Sequence, residues 1–316
     1  MSDLDNDLSN ISKVLITGLT GFVGSNLQSY LKDDFLIQGI SRTSSNDLIS
    51  YEELDKSSFD ESKAFIHLAG KAHDLKNTSD DSEYFNVNTE LTKKLFNQFL
   101  DSDCEVFIYM SSVKATADEV IGVLSESNES KPVTAYGKSK LAAENYLLSK
   151  ELPSSKKLFI LRPCMIHGPN NKGNLNLLYS FVSKGIPYPF GKFDNERSFL
   201  SVDNLSYVIK ELITNKSVES GVYNVADDDS LSTKDLVITI GETIGRKAAI
   251  LNIPKPIVNL IAKIGDIIPF PINSERVQKL TENYLVSNEK IKKALNKDFP
   301  LNTREGIEIT IKSFNK

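Results

Sequence analysis

Short, continuously apolar runs alternate along this chain with longer stretches in which apolar residues recur every three or four positions. The first pattern is typical of buried strands and the second of amphipathic helices. Strands that alternate with helices at this spacing predict a doubly wound, mostly parallel α/β sheet with right-handed crossovers. The strand-like runs are KVLIT (13–17), FLIQGI (35–40), KAFIHLAG (63–70), VFIYM (106–110) and KLFILR (157–162).

The first of these strands runs directly into three regularly spaced glycines and then into a helical pattern. Gly18, Gly21 and Gly24 form a G-x-x-G-x-x-G motif between strand and helix. Glycines permit a tight turn and a close approach of the backbone to a pyrophosphate, and the following helix N-terminus offers N–H groups to the anion. The motif therefore predicts nucleotide binding rather than a plain strand-to-helix turn.

The end of the second strand bears on the choice of cofactor. In a dinucleotide fold an acidic residue at this position binds the ribose 2′-hydroxyl of NAD, whereas an arginine accommodates the 2′-phosphate of NADP. Here Ser41 and Arg42 follow the strand and no acid is present. The sequence favours NADP over NAD, and the alternative is an ordinary surface arginine on a loop.

A candidate reaction centre lies in the helical stretch 135–147, AYGKSKLAAENYL. Tyr136 and Lys140 are four positions apart and therefore lie on the same helix face. An adjacent ammonium lowers the pKa of a phenol and prepares it for proton transfer. The pair alone is weak evidence, because such pairs occur on solvated helix faces. Ser111 and Ser112 strengthen it, since they end the 106–110 strand where open α/β sheets bind ligands.

Composition and charge narrow the class of protein. A chain of 316 residues has room for one large or two modest domains, and a net charge of −5 argues against nucleic acid as the main partner. Cys104 and Cys164 are too few for a disulfide framework and suit a reducing cytoplasm. Three histidines without the spacing of metal ligands argue against a structural metal. Residues 1–10 are acidic, lack a signal-peptide pattern and are expected to be disordered.

Together, the glycine turn, Ser112 and the Tyr136–Lys140 pair resemble the extended short-chain dehydrogenase/reductases. Within them, the chain resembles the NAD(P)-dependent nucleotide-sugar epimerase/dehydratase group related to UDP-glucose 4-epimerase. The resemblance extends from Lys13 to about Leu301. Further matches are the strings NTELT (88–92, with Leu91 in place of the family glycine), LRP (161–163), HGP (167–169) and RSFLSVDN (197–204).

Several strings are similar to the bacterial UDP-4-keto-6-deoxy-N-acetylhexosamine 4-reductases of surface polysaccharide synthesis: HLAGKAH, SSVKA, AYGKSKLAAE, NKGNL and GIPYPFG. This resemblance implies NADPH-dependent reduction at C4 of a UDP-sugar. A UDP-hexose 4-epimerase with tightly bound NAD would use the same residues and is the alternative. A dehydratase is disfavoured because Val113 and Lys114, not an Asp-Glu pair, follow Ser112. A non-catalytic dinucleotide sensor would not need the acid/base set, and a hydrolase would need a G-x-S-x-G elbow.

The resemblance also implies a role for each residue of the site. Tyr136 is the acid/base, Lys140 holds the cofactor ribose and lowers the pKa of Tyr136, and Ser112 binds the reacting C4 oxygen. The implied cofactor-binding residues are Gly18, Thr20, Gly21, Phe22, Val23, Gly24, Ser41, Arg42, Leu68, Ala69, Gly70, Asn88, Ser111, Tyr136, Lys140 and Pro163. The implied substrate-binding residues are Lys71, Ser112, Lys114, Asn174, Arg197 and Arg276, with the two arginines as candidates for the diphosphate.

The family relation further implies a Rossmann-type domain followed by a smaller C-terminal α/β domain for the substrate. We expect the first at 11–168, with 198–227 returning to it, and the second at 169–197 and 228–316. The expected partners are a UDP-sugar and a second copy of the chain, paired through the helices at 83–100 and 136–150. The apolar stretch 253–272 is too short to span a membrane and carries charges, so it predicts a packed helix without membrane insertion.

Overall fold

The computed structural model describes residues 11–45, 48–72, 80–171, 173–267 and 273–314, and the expected disordered tail lies outside them. Its strands are β1 (Lys13–Thr17), β2 (Leu36–Ser41), β3 (Leu48–Ser50), β4 (Ser62–His67), β5 (Val106–Met110), β6 (Val123–Leu124), β7 (Lys157–Pro163), β8 (Met165–His167), β9 (Arg197–Ser201), β10 (Gly221–Val225), β11 (Ser230–Leu231) and β12 (Leu285–Val286). Its α-helices are α1 (Phe22–Leu31), α2 (Lys56–Asp60), α3 (Asp81–Phe85), α4 (Leu91–Leu100), α5 (Ala135–Leu148), α6 (Asn174–Ser183), α7 (Val202–Thr214), α8 (Thr233–Thr243), α9 (Lys255–Gly265), α10 (Ser274–Thr281), α11 (Glu289–Leu295) and α12 (Thr303–Ser313).

Seven parallel strands form the central sheet in the order β10-β7-β5-β4-β1-β2-β3. The central strand β1 is hydrogen-bonded on both sides, so that Val14 lies between Ile37 and Ala64. From β1 the chain first adds β2 and β3 on one side of the sheet. It then adds β4, β5, β7 and β10 on the other side of β1. In such a sheet ligands bind at the carboxyl ends of the strands where the order reverses. The predicted fold class, a doubly wound parallel α/β sheet, is confirmed.

Each face of this sheet is covered by helices, because successive strand residues point to opposite faces. Val14 and Ile16 belong to one core, against which α1 and α7 pack. Leu15 belongs to the other core, which includes side chains of α4 and α5. Burial on both faces explains why the strands are continuously apolar rather than alternating.

A third core lies in the C-terminal half of the chain. It is built from apolar side chains of α6, α8, α9, α10 and α12 around Phe199 of β9. The short sheet β11-β9-β8 adjoins it. Between these elements the chain returns once to the central sheet, where β10 pairs with β7 and forms its edge. The strand that begins at Arg197, β9, adjoins both parts of the molecule, since its Phe199 belongs to the third core and its Leu200 to the first.

Three elements differ from the sequence prediction. The strand predicted at 63–70 ends at His67, and residues 68–70 continue as irregular chain. The helix predicted at 83–100 contains a π-helical turn at Asn86–Glu90, between α3 and α4. The stretch predicted as a packed helix at 253–272 forms α9, but only Val258 and Ala262 of this helix are buried. The prediction is therefore correct for one face of α9 and wrong for the other.

Candidate active site

The glycine turn between β1 and α1 forms a cradle with no room for side chains. Gly18 has a φ of +71°, which favours glycine, and a Cβ there would lie 3.0 Å from the amide nitrogen of Ala69. A Cβ on Gly24 would lie only 2.3 Å from the carbonyl oxygen of Gly18. Gly21 caps the N-terminus of α1. The residues present therefore fit a pyrophosphate bound at the start of a helix.

A buried chain of hydrogen bonds holds this cradle against the neighbouring strand. The Ala69 N–H donates to Thr17 Oγ1 at 3.0 Å, Thr17 Oγ1 lies 2.7 Å from His67 Nδ1, and His67 Nε2 lies 2.9 Å from Thr92 Oγ1. Thr92 Oγ1 donates in turn to the Asn88 carbonyl. Burial lowers the pKa of His67 to about 3, so the ring is neutral. Because Thr92 Oγ1 already donates its proton to Asn88, it accepts from His67 Nε2. The neutral ring therefore carries its proton on Nε2 and accepts at Nδ1 from the Thr17 hydroxyl.

Asn88 lies in the π-helical turn, a feature that is frequent at functional sites. Asn88 is buried. Its amide side chain accepts from the Lys71 N–H at 2.8 Å and donates to the Lys71 carbonyl at 3.0 Å and to Ser139 Oγ at 2.9 Å. Asn88 thus ties the segment after β4 to α5. No motif in the sequence indicated that Ser139 would accept this hydrogen bond from Asn88.

Tyr136 and Ser112 are in contact at the carboxyl edge of the sheet. Thr134 caps α5 and accepts from the Gly137 N–H, which places Tyr136 in the first turn. Burial raises the pKa of Tyr136, and a hydrogen bond with Ser112 opposes that shift. Desolvation is the largest cause of this shift, and the expected effect of Lys140 on the pKa of Tyr136 stays a prediction.

Lys140 is buried one helical turn after Tyr136. Its Nζ donates to the Met110 carbonyl at 2.7 Å and lies 4.8 Å from the centre of the Tyr109 ring. Burial lowers the pKa of Lys140 to about 8, and the negative charge of Glu144 opposes the shift. A Cβ on Gly70 would lie 3.0 Å from Lys140 Nζ. The ammonium therefore faces the segment that was predicted to pass close to a cofactor.

The sequence prediction missed a buried ion pair behind Lys140. Arg162 Nε lies 3.0 and 3.1 Å from the two carboxylate oxygens of Glu144, and Arg162 Nη2 lies 2.5 Å from Oε2. Ser111 Oγ also donates to Glu144. One signal was available: Glu144 follows Lys140 by four residues, on the same face of α5. Its partner could not be inferred, because α5 and β7 meet only in the folded chain.

Two of the predicted substrate-binding residues lie close together on the C-terminal side of the site. Lys114 Nζ donates to the Asp118 carbonyl at 2.7 Å and lies 4.5 Å from the centre of the Tyr284 ring. Burial lowers the pKa of Lys114, and the charge of Arg197 contributes to this shift. Arg197 Nη1 lies 3.5 Å from Glu282. Two cations near one another can bind a diphosphate.

Lys71 is connected to Tyr136 through the ring of Tyr84. Its ammonium pairs with Glu83 and lies 5.4 Å from the centre of the Tyr84 ring. The Tyr84 ring meets the Tyr136 ring edge to face, with centroids 6.4 Å apart. Tyr84 is a second residue that the sequence prediction missed, since an aromatic residue at the start of a helix usually indicates packing.

The remaining predicted site residues lie on several different elements of the fold. Arg42 is exposed just after β2, and its charge acts on Tyr51. Arg276 is exposed on α10, and Asn174 begins α6. Their roles stay predictions. Of the others, Thr20 precedes α1, which begins with Phe22 and Val23; Ser41 ends β2; Leu68 follows β4; and Pro163 ends β7.

Within the described ranges, no helix is long and apolar enough to cross a membrane. The same residues contain no cluster of three or more histidine, cysteine or acidic side chains that could hold a metal ion. Pairing of two copies through α4 and α5 stays a prediction, as does the role of each site residue.

A glycine cradle beside a half-buried tyrosine and a buried lysine and serine is the arrangement of an enzyme that uses a dinucleotide cofactor. The chain belongs to the NAD dependent epimerase/dehydratase family, whose model matches residues 14–226. It is an enzyme of the extended short-chain dehydrogenase/reductase type, as the motifs predicted, and its cofactor is a nicotinamide dinucleotide.

Known proteins similar to the chain act on nucleotide-linked or lipid-linked sugars. It is 31% identical to the UDP-glucose 4-epimerase of Vibrio cholerae, over 95% of both chains. It is 27% identical to the N-acetyl-α-D-glucosaminyl-diphospho-ditrans,octacis-undecaprenol 4-epimerase of Escherichia coli O157:H7, over 89% of this chain and 84% of that protein. The structure of MoeE5 with UDP-glucose and NAD superposes with a TM-score of 0.74 at 19% identity, over 96% of this chain and 99% of the other.

Proposed function

We propose that this enzyme reduces the C4 carbonyl of a UDP-4-keto-6-deoxy-N-acetylhexosamine, with NADPH as the consumed reductant. The observation that carries the proposal is Arg42, which is exposed just after β2 with no acid at the end of the strand. An arginine at this position suits the 2′-phosphate of NADPH, and NADPH is the cofactor that a reductase consumes. The strings that resemble the 4-reductases support the same choice.

In this proposal the chain's own residues position the ketone and supply its proton. Ser112 and Tyr136 hydrogen-bond the C4 oxygen, and Tyr136 donates its proton to that oxygen as negative charge develops on it. Lys140, charged below a pH of about 8, stabilises the phenolate that remains. A nicotinamide bound beside Gly70 and Asn88 would supply the hydride. Lys114 and Arg197 would bind the diphosphate.

A UDP-hexose 4-epimerase is the second candidate, and the Vibrio cholerae relative favours it. Such an enzyme would oxidise C4, turn the keto-sugar over and return the hydride to its other face. It would use the same serine, tyrosine and lysine but would not consume its cofactor. The two candidates therefore differ in how tightly the dinucleotide is held rather than in the catalytic residues.

The test is to identify any dinucleotide that the purified protein releases on denaturation, by mass spectrometry, and then to titrate the emptied protein with NADPH and NADH. We expect an empty or partly filled site that binds NADPH more tightly than NADH, and stoichiometric oxidation of NADPH when the keto-sugar is added. Stoichiometric, tightly held NAD together with interconversion of UDP-glucose and UDP-galactose would instead establish the epimerase.

The NADPH preference is predicted to depend on Arg42. Replacing this exposed residue, Arg42→Asp, removes the cation near the expected 2′-phosphate and adds a carboxylate that suits a ribose hydroxyl. We expect the ratio of NADPH to NADH affinity to fall at least about tenfold, as loss of one charged hydrogen bond implies. Fluorescence titration of each nucleotide measures it. An unchanged ratio would remove Arg42 from the cofactor site.

A further inference from the structure

Tyr109 is a buried tyrosine beside the candidate active site that has no role in the reaction proposed above. It lies on β5, on the face of the sheet that α4 and α5 cover, and its exposed fraction is 0%. Its hydroxyl donates to the Asn88 carbonyl at 3.3 Å. Its ring stacks on the ring of His67, with the centroids 5.8 Å apart and an angle of 28° between the planes. Contacts of the hydroxyl and of the ring therefore fix the orientation of this side chain.

The ammonium of Lys140 lies over this ring, 4.8 Å from its centre. An ammonium has three N–H donors, and a charge that is buried away from water needs compensating partners. Among the residues that the structure describes, the Met110 carbonyl is the one oxygen that accepts a hydrogen bond from Lys140 Nζ. Glu144 contributes its charge, but its carboxylate is paired with Arg162. Hydrogen bonding alone therefore leaves the buried charge of Lys140 incompletely compensated.

The face of an aromatic ring carries the negative part of its quadrupole, which attracts a cation within about 6 Å of the centroid. This attraction is strongest where water is excluded, and it does not occupy an N–H donor. We propose that Tyr109 is a positioning residue whose ring keeps Lys140 charged and holds its ammonium beside the segment at Gly70. The N–H groups that Met110 does not use then remain available to the ribose of the dinucleotide. This inference rests on the role proposed for Lys140 and adds a second residue to that role.

The ring, and not the hydroxyl, is the part of Tyr109 that acts on Lys140. Burial raises the pKa of the Tyr109 phenol well above its usual value, and the charges of Glu144 and Tyr136 contribute to the shift. The phenol therefore stays protonated at neutral pH, and its proton is engaged by the Asn88 carbonyl. A phenylalanine at this position should serve Lys140 equally well.

The titratable and charged groups that bear on Lys140 come from four elements. They are Tyr136 and Glu144 on α5, Tyr109 on β5, His67 on β4, and Arg162 on β7 behind Glu144. Burial lowers the pKa of His67 to about 3, so its ring is neutral where Lys140 titrates. Charged residues on the other elements that pack against α5 are engaged with different partners or exposed: Glu83 with Lys71, Glu90 with Lys93, Lys114 with Asp118 and Tyr284, and Asp81 and Lys94 with solvent. A shift in the titration of Lys140 can therefore be traced to the residue that is replaced.

The test follows the charge of Lys140 by NMR in the full-length protein labelled with lysine that carries ¹³C at Cε. The signal of Lys140 is identified by its absence from Lys140→Met. We expect the wild type to titrate with a pKa of about 8. Tyr109→Leu should lower this pKa by about one unit, which is about a tenfold loss of proton affinity, because the ammonium loses a desolvated aromatic face. Tyr109→Phe retains that face and should titrate within about 0.3 units of the wild type.

A second series keeps the shape of the ring, so it gives an answer even where Tyr109→Leu does not fold. Phenylalanine with zero, one, two or three ring fluorines replaces Tyr109. Fluorine withdraws electrons from the ring face and weakens its attraction for a cation, with little change in size. We expect the pKa of Lys140 to fall with each added fluorine, whereas a role in packing alone would leave it constant.

The matched control is Phe107→Leu. Phe107 lies on the same face of β5, is also 0% exposed, stacks on Phe65 and meets Phe96 edge to face. Losing this ring should leave the pKa of Lys140 unchanged. An unchanged pKa in folded Tyr109→Leu or along the fluorine series would overturn the proposal, and so would an equal shift in Phe107→Leu. No substrate is present, so the result is independent of whether the enzyme reduces a keto-sugar or epimerises a hexose.

Discussion

Replacing Tyr136 by phenylalanine is expected to lower the rate of keto-sugar reduction by about 10²–10⁴-fold while leaving cofactor affinity nearly unchanged. The change removes only the phenolic oxygen. The ring stays in its place edge to face with Tyr84, so packing at the start of α5 is retained. What is lost is the hydroxyl beside Ser112, which we propose as the proton donor. The turnover number with the keto-sugar and the dissociation constant of NADPH measure the two effects separately.

Tyr84→Phe is the matched control for this variant. It removes the same atom from the neighbouring ring, but Tyr84 has no predicted part in the proton transfer. Tyr84 is half-buried, and we expect turnover within about threefold of the wild type, a change no larger than the net contribution of one ordinary hydrogen bond. Full activity in Tyr136→Phe would contradict the assigned role. Equal losses in both variants would mean that the pair of rings shapes the site and that neither is the specific donor.

The parts of the site that were predictable are those in which one short segment carries the whole signal. The glycine turn needs only Gly18, Gly21 and Gly24 between a strand and a helix, and the structure has this local arrangement. Tyr136 and Lys140 are neighbours because of helix geometry alone. The position of Ser112 follows from a strand that ends at Met110. Periodicity therefore located the centre of the site before any tertiary contact was known.

The parts that were not predictable depend on distant contacts and on solvation. Glu144 and Arg162 are paired because α5 packs over β7, which no local pattern indicates. The direction of the pKa shift of Tyr136 depends on how deeply the phenol is buried, whereas helix periodicity indicates only that Tyr136 is near Lys140. The exposed face of α9 is a similar case, since an apolar periodicity does not reveal which apolar residues find a partner.

The second large effect is expected at the buried ion pair. Glu144 and Arg162 have side chains that are 1% and 7% exposed, and the carboxylate accepts from both the guanidinium and Ser111. Glu144→Gln keeps the shape of the side chain but leaves the charge of Arg162 uncompensated in the interior. Removing one partner of a buried pair costs about 3–5 kcal/mol. For a chain of this size we expect a fall in melting temperature of about 10 °C.

A double variant separates the cost of a lone charge from the loss of packing. Glu144→Leu combined with Arg162→Met replaces both partners by apolar side chains, which is often close to neutral for stability. We expect the double variant to melt well above Glu144→Gln, and thermal unfolding of the two measures this. A double variant that is less stable than the single one would mean that the ion pair contributes net stability beyond its own desolvation.

The same variants report on the chemistry, because Glu144 is the charge that opposes the lowered pKa of Lys140. Without this carboxylate the pKa of Lys140 falls below about 8, and the ammonium loses its proton at a lower pH. Reduction by Glu144→Gln should therefore decline with rising pH earlier than reduction by the wild type, measured at a temperature where both are folded. An unshifted pH profile would show that Glu144 and Arg162 stabilise the fold without setting the charge of Lys140.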